Sequence, residues 1–593
     1  MEKNTFTGLF IIALILIGWS FFMKPTQPEI NQYKKQSDSI ELAKKGIVTS
    51  VATDSTSNTA TVDTGVIQKP EFITLENELM KVTLTTKGGR VYATELKGQK
   101  TADGKPVILF NGDDNRFGFK IPLTGRNLIT NDEFFKPLGS SINVAGTDSN
   151  SVTLRLAVSA TQYIDYVYSL KGKSYLLGYN VKMVGMNQLI APSTKNLTIE
   201  WSSALLQQEK DIKSERQYST VYYKPLEDKA DYLSETKDKE EKTSSLKWVA
   251  FKQHFFSSVL IANNEITGST LNTETDLTKS TVKKMTADLS VPYQSKAEEV
   301  YGMQFYFGPN HFTTLKATGY DLQQLIKLGW GPLGFINRWA VIPLFNFLNG
   351  FNMNYGIIIL LLTVILKLVL LPLTYSSYKS QAKMRILKPE MDAIKAKVGE
   401  EDQTRLQQEY MKLYKQAGVN PLAGCVPLLL QMPILFAFFK FFPASFELRQ
   451  QSFLWVKDLS TFDSAITWGT TLPIIGNHIS LMCVLMTIST LIYTWMNNKI
   501  SGVSGQMKYL GYIMPVMFMG VLNSFPAGLN YYYFCANMIT FGQQFLIRKF
   551  VNEDAIHAQL EQNKKRPEAN KKSKWQMRLE EMSKQQQQRA VKK

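Results

Sequence analysis

The sequence predicts a polytopic α-helical membrane protein, with six transmembrane helices and a cytoplasmic helical hairpin, joined to a large antiparallel β-sandwich domain outside the cytoplasm. Three observations predict it. Apolar residues are segregated, with one run at the N-terminus and the rest after Tyr355. The middle of the chain alternates apolar and polar residues in short runs, the period of a half-buried strand. Lysine and arginine are spread unevenly over the segments that join the apolar runs. At 593 residues the chain is too long for one domain.

Residues 1–23 end in TGLFIIALILIGWSFFM, just long enough to span a bilayer with little tilt. A cleavable signal peptide is the competing reading. Lys24, Pro25 and Pro28 follow without a small-residue cleavage site, which favours an uncleaved anchor. Residues 24–67, rich in Ser, Thr, Lys and Asp, read as a flexible linker. Residues 68–320 form the β domain: FITLENELMKVTLTTKGGRVYATELK reads as strand, turn and strand around Gly88-Gly89. Similar runs recur in SVTLRLAVSA, YIDYVYSL, YLLGYNVKMV, LTIEWSS, FFSSVLIA and YGMQFYFG. Such a series of short strands fits an antiparallel sandwich.

Residues 321–350 are aromatic but broken by Gly331, Pro332, Arg338 and Pro343, which suits an amphipathic helix lying in the membrane interface. A soluble helix packed under the sandwich is the alternative. Five further spans are expected at 355–373, 426–445, 475–495, 509–525 and 529–547, the last two joined by the tight turn Pro526-Ala527-Gly528. Between the second and third spans, residues 374–420 are dense in Lys and Arg and read as two charged helices, a hairpin turning at Gly399. The loop after the third span carries only Arg449 and Lys457, whereas the tail, 548–593, is strongly basic. The positive-inside bias therefore puts the hairpin and both termini in the cytoplasm and the β domain outside.

The net charge of +17 fits that bias and also contact with RNA or anionic lipid through the tail. The three cysteines, Cys425, Cys483 and Cys535, all fall in apolar segments, so the β domain has no disulfide framework. The four histidines are scattered, and no metal-ligand spacing occurs, so neither a metal nor another cofactor is expected. There is no phosphate-binding loop of the Walker type. An intramembrane protease needs a catalytic dyad, and His478 has no obvious serine or aspartate partner. A small-solute transporter is the main rival reading, but no repeated halves are visible.

NPLAGCVPLLLQMPILFAFF, residues 420–439, resembles a signature of the YidC family of membrane protein insertases, related to the mitochondrial Oxa proteins. Leu371-Pro372-Leu373-Thr374, Phe446-Glu447-Leu448-Arg449, Phe525-Pro526-Ala527-Gly528-Leu529 and Gln543-Gln544 agree with it. TLENELMKVTLTTKGGR looks like the start of the periplasmic domain of Gram-negative members. The resemblance implies a bacterial inner-membrane protein, not an enzyme, whose periplasmic domain is the β sandwich. It implies a hydrophilic groove open to the cytoplasm, entered by the polar end of a client whose apolar segment leaves along the third and fifth spans. Nascent membrane proteins, the Sec translocon, membrane lipids and the ribosome, bound through the tail and cytoplasmic loops, are the implied partners.

Five residues before Pro372 the family usually has arginine, where this chain has Lys367. The charge is kept and the planar donor fork is lost. Thr363, one turn earlier, Gln431, Tyr532 and Tyr533 match other groove positions. Leu428, Met432, Leu435, Met517 and Val521 are the residues expected to form the sliding surface. Read without the family, a lysine near a span centre costs roughly 2.5–3.5 kcal/mol. Lys367 lies within about 8 Å of the expected cytoplasmic end, so snorkelling to the interface competes with a groove role. Gln431 equally suits an interhelical hydrogen bond, and the tyrosines an interfacial belt.

Overall fold

The structure, a computed structural model, describes residues 69–277, 280–399, 403–419, 426–472, 475–501 and 506–565. The expected N-terminal anchor, the linker and the tail beyond residue 565 lie outside the described residues, as do the first six residues, 420–425, of the 420–439 motif.

Alternation in the middle of the chain becomes strand, as the period demands. Leu176–Val184 and Asn196–Leu206 bury every second side chain. The described residues form a nine-stranded, a six-stranded and a five-stranded sheet in this domain. Pairing is antiparallel throughout, apart from the short parallel contact of Phe72–Glu76 with Ile142–Asn143. The turn after Met80–Thr85 needs both of its glycines: Gly88 and Gly89 have φ of 81° and 61°, and a Cβ on Gly89 would meet the Phe135 ring at 2.8 Å. The interior is aromatic, with Trp201 stacked on Phe251 at 3.8 Å and Phe305 on Phe307 at 5.2 Å.

Strand Phe256–Ile266 departs from alternation and is buried on both faces over its first seven residues. Its second face belongs to another core. There Val259, Ile261, Trp248 and Tyr306 pack with Leu322, Leu325, Val341, Phe345 and with Ile358, Phe438 and Leu529 of the helical region. The helices are α1 (Ile212–Tyr218), α2 (Phe312–Ala317), α3 (Gly331–Ile336), α4 (Ile342–Asn349), α5 (Tyr355–Val369), α6 (Leu371–Ile386), α7 (Lys388–Val398), α8 (Gln403–Ala417), α9 (Val426–Ala444), α10 (Leu481–Ser501), α11 (Gln506–Leu522), α12 (Ala527–Phe550) and α13 (Glu553–Lys565).

The amphipathic segment is built from α3, a π turn over Asn337–Val341 and α4. One side is packed: Asn337 Nδ2 donates to the carbonyls of Leu328 and Ala437, both at 2.8 Å, tying it to α9. The other side leaves Trp330 78 % and Trp339 72 % exposed, beside exposed Phe335 and Phe347. The segment thus has a packed face and an exposed aromatic face.

The run expected as one span at 355–373 bends by 60° at Leu370. Pro372 has no N–H and opens α6, so the ladder breaks one turn before it. Among the described residues no single helix is long and apolar enough to cross a membrane; the bent pair α5–α6 passes that test jointly. Helix α10 starts at Leu481, after a hairpin of Ile466–Leu472 with Gly476–Ile479 that occupies the start of the expected 475–495 run. On the opposite end, α7 and α8 form the expected charged hairpin, with Gly399 at φ 82°. Its apolar side is covered by α13, through Ile556 and Leu560 against Leu387, Leu413, Tyr414 and Ala417. Arg385–Glu553 and Lys564–Glu390 ion pairs flank that contact.

The β domain touches the end of α9 through His254. Its Nε2 lies 2.7 Å from the Pro443 carbonyl, one of the groups a helix end leaves unpaired. Burial between Tyr218 and Phe255 pushes the imidazole pKa from 6.5 down to about 3. The unfolded chain therefore binds a proton that the folded one refuses. Stability from this residue is complete above the unfolded pKa and is lost as pH falls from there toward 3. Between pH 7 and pH 5 the parent should lose about 2 kcal/mol more than His254→Gln, whose amide keeps a donor, in denaturant titrations of the full chain.

Candidate functional site

Thr363 and Lys367 are four residues apart on α5 and so share a face. Both are buried, Lys367 with 8 % of its surface exposed. Thr363 satisfies its own hydroxyl within the helix, donating to the Ile359 carbonyl at 2.6 Å. The Lys367 ammonium donates to Thr540 Oγ1 of α12 at 2.9 Å, and that hydroxyl donates to the Ala536 carbonyl at 2.6 Å. Gln543 Nε2 donates to the Lys367 backbone carbonyl at 3.0 Å. That carbonyl is in the last turn of α5, where helix geometry leaves acceptors free. Among the described residues no carboxylate pairs with the ammonium. Lys367 is thus turned toward α12 inside the bundle.

Helix α12 supplies a polar stripe to meet it. Asn537, Thr540 and Gln543 recur every three residues, and Gln544 follows. Asn537 Nδ2 reaches the hydroxyls of Ser489 at 2.9 Å and Thr490 at 3.0 Å on α10. Along these helices several buried polar atoms have no partner among the described residues: Tyr533 Oη, Gln543 Oε1, Gln544 Oε1 and Asn530 Oδ1 on α12, Tyr378 Oη on α6 and Asn498 Nδ2 on α10. Leaving such a group unmatched in an apolar core costs about 1–3 kcal/mol.

The structure separates the other expected site residues from Lys367. Tyr532 lies against Phe438 at 4.3 Å and Phe442 at 5.9 Å, and Tyr533 against Phe439 at 5.8 Å, so both face α9. Gln431 is half-buried on α9. Of the expected sliding residues, Met432, Met517 and Val521 are exposed and Leu435 is half-buried; the side chain of Leu428 lies outside the described residues. Thr540, Asn537, Ser489 and Thr490 were not singled out from the sequence, although their helical spacing carries the signal. His478 forms no dyad: its Nε2 lies 3.0 Å from the Asn523 carbonyl, while Ser480 Oγ donates to Asp463. Among the described residues no cluster of His, Cys, Asp or Glu is arranged to hold a metal.

The fold defines a class of protein in which a large β domain is docked on a helical bundle that buries a lysine. The sequence relationships specify which. Residues 72–343 match the YidC periplasmic domain family and residues 347–554 the 60Kd inner membrane protein family. The membrane protein insertase YidC of Bacteroides fragilis is 40% identical over 618 residues, covering 100% of this chain and 98% of that protein. That of Parabacteroides distasonis is 38% identical over 628 residues, covering 99% and 98%. A crystal structure described as active YidC insertase with its first transmembrane domain resolved covers 80% of this chain and 92% of its own, with 19% identity and a TM-score of 0.33. The chain belongs to the YidC family of membrane protein insertases.

Thr540→Val should destabilise the full chain by about 1–3 kcal/mol, because it leaves a buried ammonium without its hydroxyl acceptor. Thr540→Ser should stay near the parent. Thermal unfolding of the detergent-solubilised protein, compared across the three, checks this.

Proposed function

We propose that this chain inserts membrane proteins and assists their folding, through a polar groove whose positive charge is Lys367. The observation that carries the reading is the buried Lys367–Thr540 contact, with Gln543 Oε1 and Gln544 Oε1 on the next turn of α12 lacking a partner among the described residues. An entering polar segment, with the water it brings, supplies partners for those atoms. The ammonium attracts carboxylates in the segment that must cross, and a low-dielectric surrounding strengthens that attraction. Thr363 shares the face of Lys367, and Gln431, Tyr532 and Tyr533 form the α9 side of the groove. The apolar part of the client leaves over Leu428, Met432, Leu435, Met517 and Val521, and methionines suit varied apolar partners. Transfer of apolar surface out of water supplies the driving force, at roughly 0.8 kcal/mol per CH₂.

In this reading six spans cross the inner membrane: the N-terminal anchor, the bent α5–α6, and α9, α10, α11 and α12. Both termini and the α7–α8 hairpin are cytoplasmic, and the β domain is periplasmic. The exposed aromatic face of α3–α4 rests in the lipid interface. The chain acts alone or beside the Sec translocon. The basic tail meets the ribosome, and α13 fixes the base of that tail on the hairpin.

Lys367→Arg should preserve insertion. Lys367→Ala should impair clients with acidic translocated segments more than neutral ones, and Lys367→Glu should be worst for acidic clients. Insertion into proteoliposomes of matched clients differing only in acidic residues, normalised to protein level, measures this. Equal insertion of acidic and neutral clients by the Ala and Glu variants eliminates the electrostatic role.

Removal of residues 566–593 keeps α13 docked and should weaken ribosome co-sedimentation, most clearly at low salt, since binding of a polycation to RNA releases counterions. Unchanged sedimentation across salt concentrations assigns the tail another role.

A further inference from the structure

The segment between α9 and strand Ile466–Leu472 closes the ends of three helices. The carbonyls of Thr461 and Leu459 accept from the amides of Ala527 at 2.8 Å and Gly528 at 2.9 Å, two of the donors that open α12. The Ser452 carbonyl accepts from Asn354 Nδ2 at 3.0 Å, and Asn354 is the cap of α5. Phe453 lies over Gly356 so closely that a Cβ there would sit 2.1 Å from the ring. Leu448, Val456 and Leu459 are buried with Ile358, Ile359, Phe442 and Leu529. Residues 446–464 are therefore a plug over one end of α5, α9 and α12.

The other side of the plug is gripped by the β domain. The Arg449 side chain is only 2 % exposed. Its Nε donates to Glu209 Oε1 at 2.7 Å, its Nη2 to the Lys100 carbonyl at 2.5 Å, and its guanidinium lies over the Phe256 ring at 4.9 Å. Gln450 Nε2 donates to the carbonyls of Lys100 and Thr101, at 2.7 and 3.1 Å. Phe446 packs edge-on against Phe256 at 5.7 Å, and Glu447 lies 3.3 Å from His311 Nε2. At the far end of the plug, Lys210 Nζ reaches the Phe462 carbonyl at 3.2 Å and Ser464 Oγ at 3.0 Å. These grips come from separate parts of the β domain and hold both ends of the plug.

We propose that the β domain is a clamp that keeps this plug shut over the outer end of the helix bundle. The buried Arg449–Glu209 pair makes the grip all-or-none, because either partner alone is a buried charge without its counter-charge. The clamp rests on reading this end of the bundle as the outer one. It makes the domain part of the barrier, whatever else the domain does, and it does not depend on which client enters the groove.

The test uses the full-length chain with Cys425, Cys483 and Cys535 changed to Ser and a reporter Val456→Cys, whose position is buried in the plug. A membrane-impermeant maleimide added from outside should label the parent slowly. Glu209→Gln should raise the labelling rate by about tenfold or more, as a local opening grows more frequent. Glu209→Asp, which keeps the carboxylate opposite Arg449, should stay nearer the parent than Glu209→Gln. Lys210→Met, a change at an exposed side chain, should raise it several-fold and keeps the test usable where Glu209→Gln does not fold. Parent-like labelling in Lys210→Met and in any folded Glu209→Gln overturns the clamp, as does a rate in Glu209→Asp no lower than in Glu209→Gln. The readout needs no insertion activity, so failure of the groove reading leaves it standing.

Discussion

Holding an ammonium away from bulk water inside apolar helices is expensive, and the donors and acceptors around it decide whether a fold tolerates it. Here Lys367 sets that condition. Thr540 must lie opposite, which fixes the rotation of α12 about its axis relative to α5. Gln543 then falls on the Lys367 carbonyl, and Asn537 on Ser489 and Thr490, so one rotation angle serves contacts to two helices. The same rotation turns Tyr532 and Tyr533 toward the phenylalanines of α9. A polar interior and an aromatic seam are two sides of one helix.

The chain also shows two ways of ending a helix. At Leu370, just before Pro372, the helix bends, and the Lys367 carbonyl beside the bend is taken by a glutamine side chain. At Pro443 the helix runs out, and the freed carbonyl is taken by His254 from nearly two hundred residues earlier. Both solutions bring a distant element to a fixed place, so the need to satisfy backbone groups doubles as a means of assembly.

Much of this was legible in the sequence, and the exceptions have physical reasons. Strands such as Leu176–Val184 announce themselves because one side faces a core and the other faces water. Phe256–Ala262 does not alternate, since a second core covers its outer face, and periodicity alone cannot say what provides that cover. The apolar runs placed the helices, but apolarity does not mark where a helix bends or starts: Leu370 looks like its neighbours, and the hairpin ending at Ile479 is nearly as apolar as α10. Lys367 stood out as a charge in an apolar run. Its partner Thr540 is an ordinary threonine, recognisable only with Asn537 and Gln543 on the same face. Arg449 and Glu209 are 240 residues apart, and no local pattern joins them.

The packing of α11 bears on how the bundle moves. Among its described side chains only Leu522, at the end nearest the plug, is fully buried, in a small cluster with Cys483 and Met486. The next residue, Asn523, donates to the carbonyls of Ile475 and His478 and so anchors that end firmly. Elsewhere Gly511 approaches Thr494 closely, but Tyr509, Ile513, Val516, Met517 and Val521 face outward. Over its described side chains this helix, about 25 Å long, is therefore held more tightly at its Leu522–Asn523 end than along the rest of its length, and a sideways displacement of that outward face disturbs fewer buried contacts than one of α12.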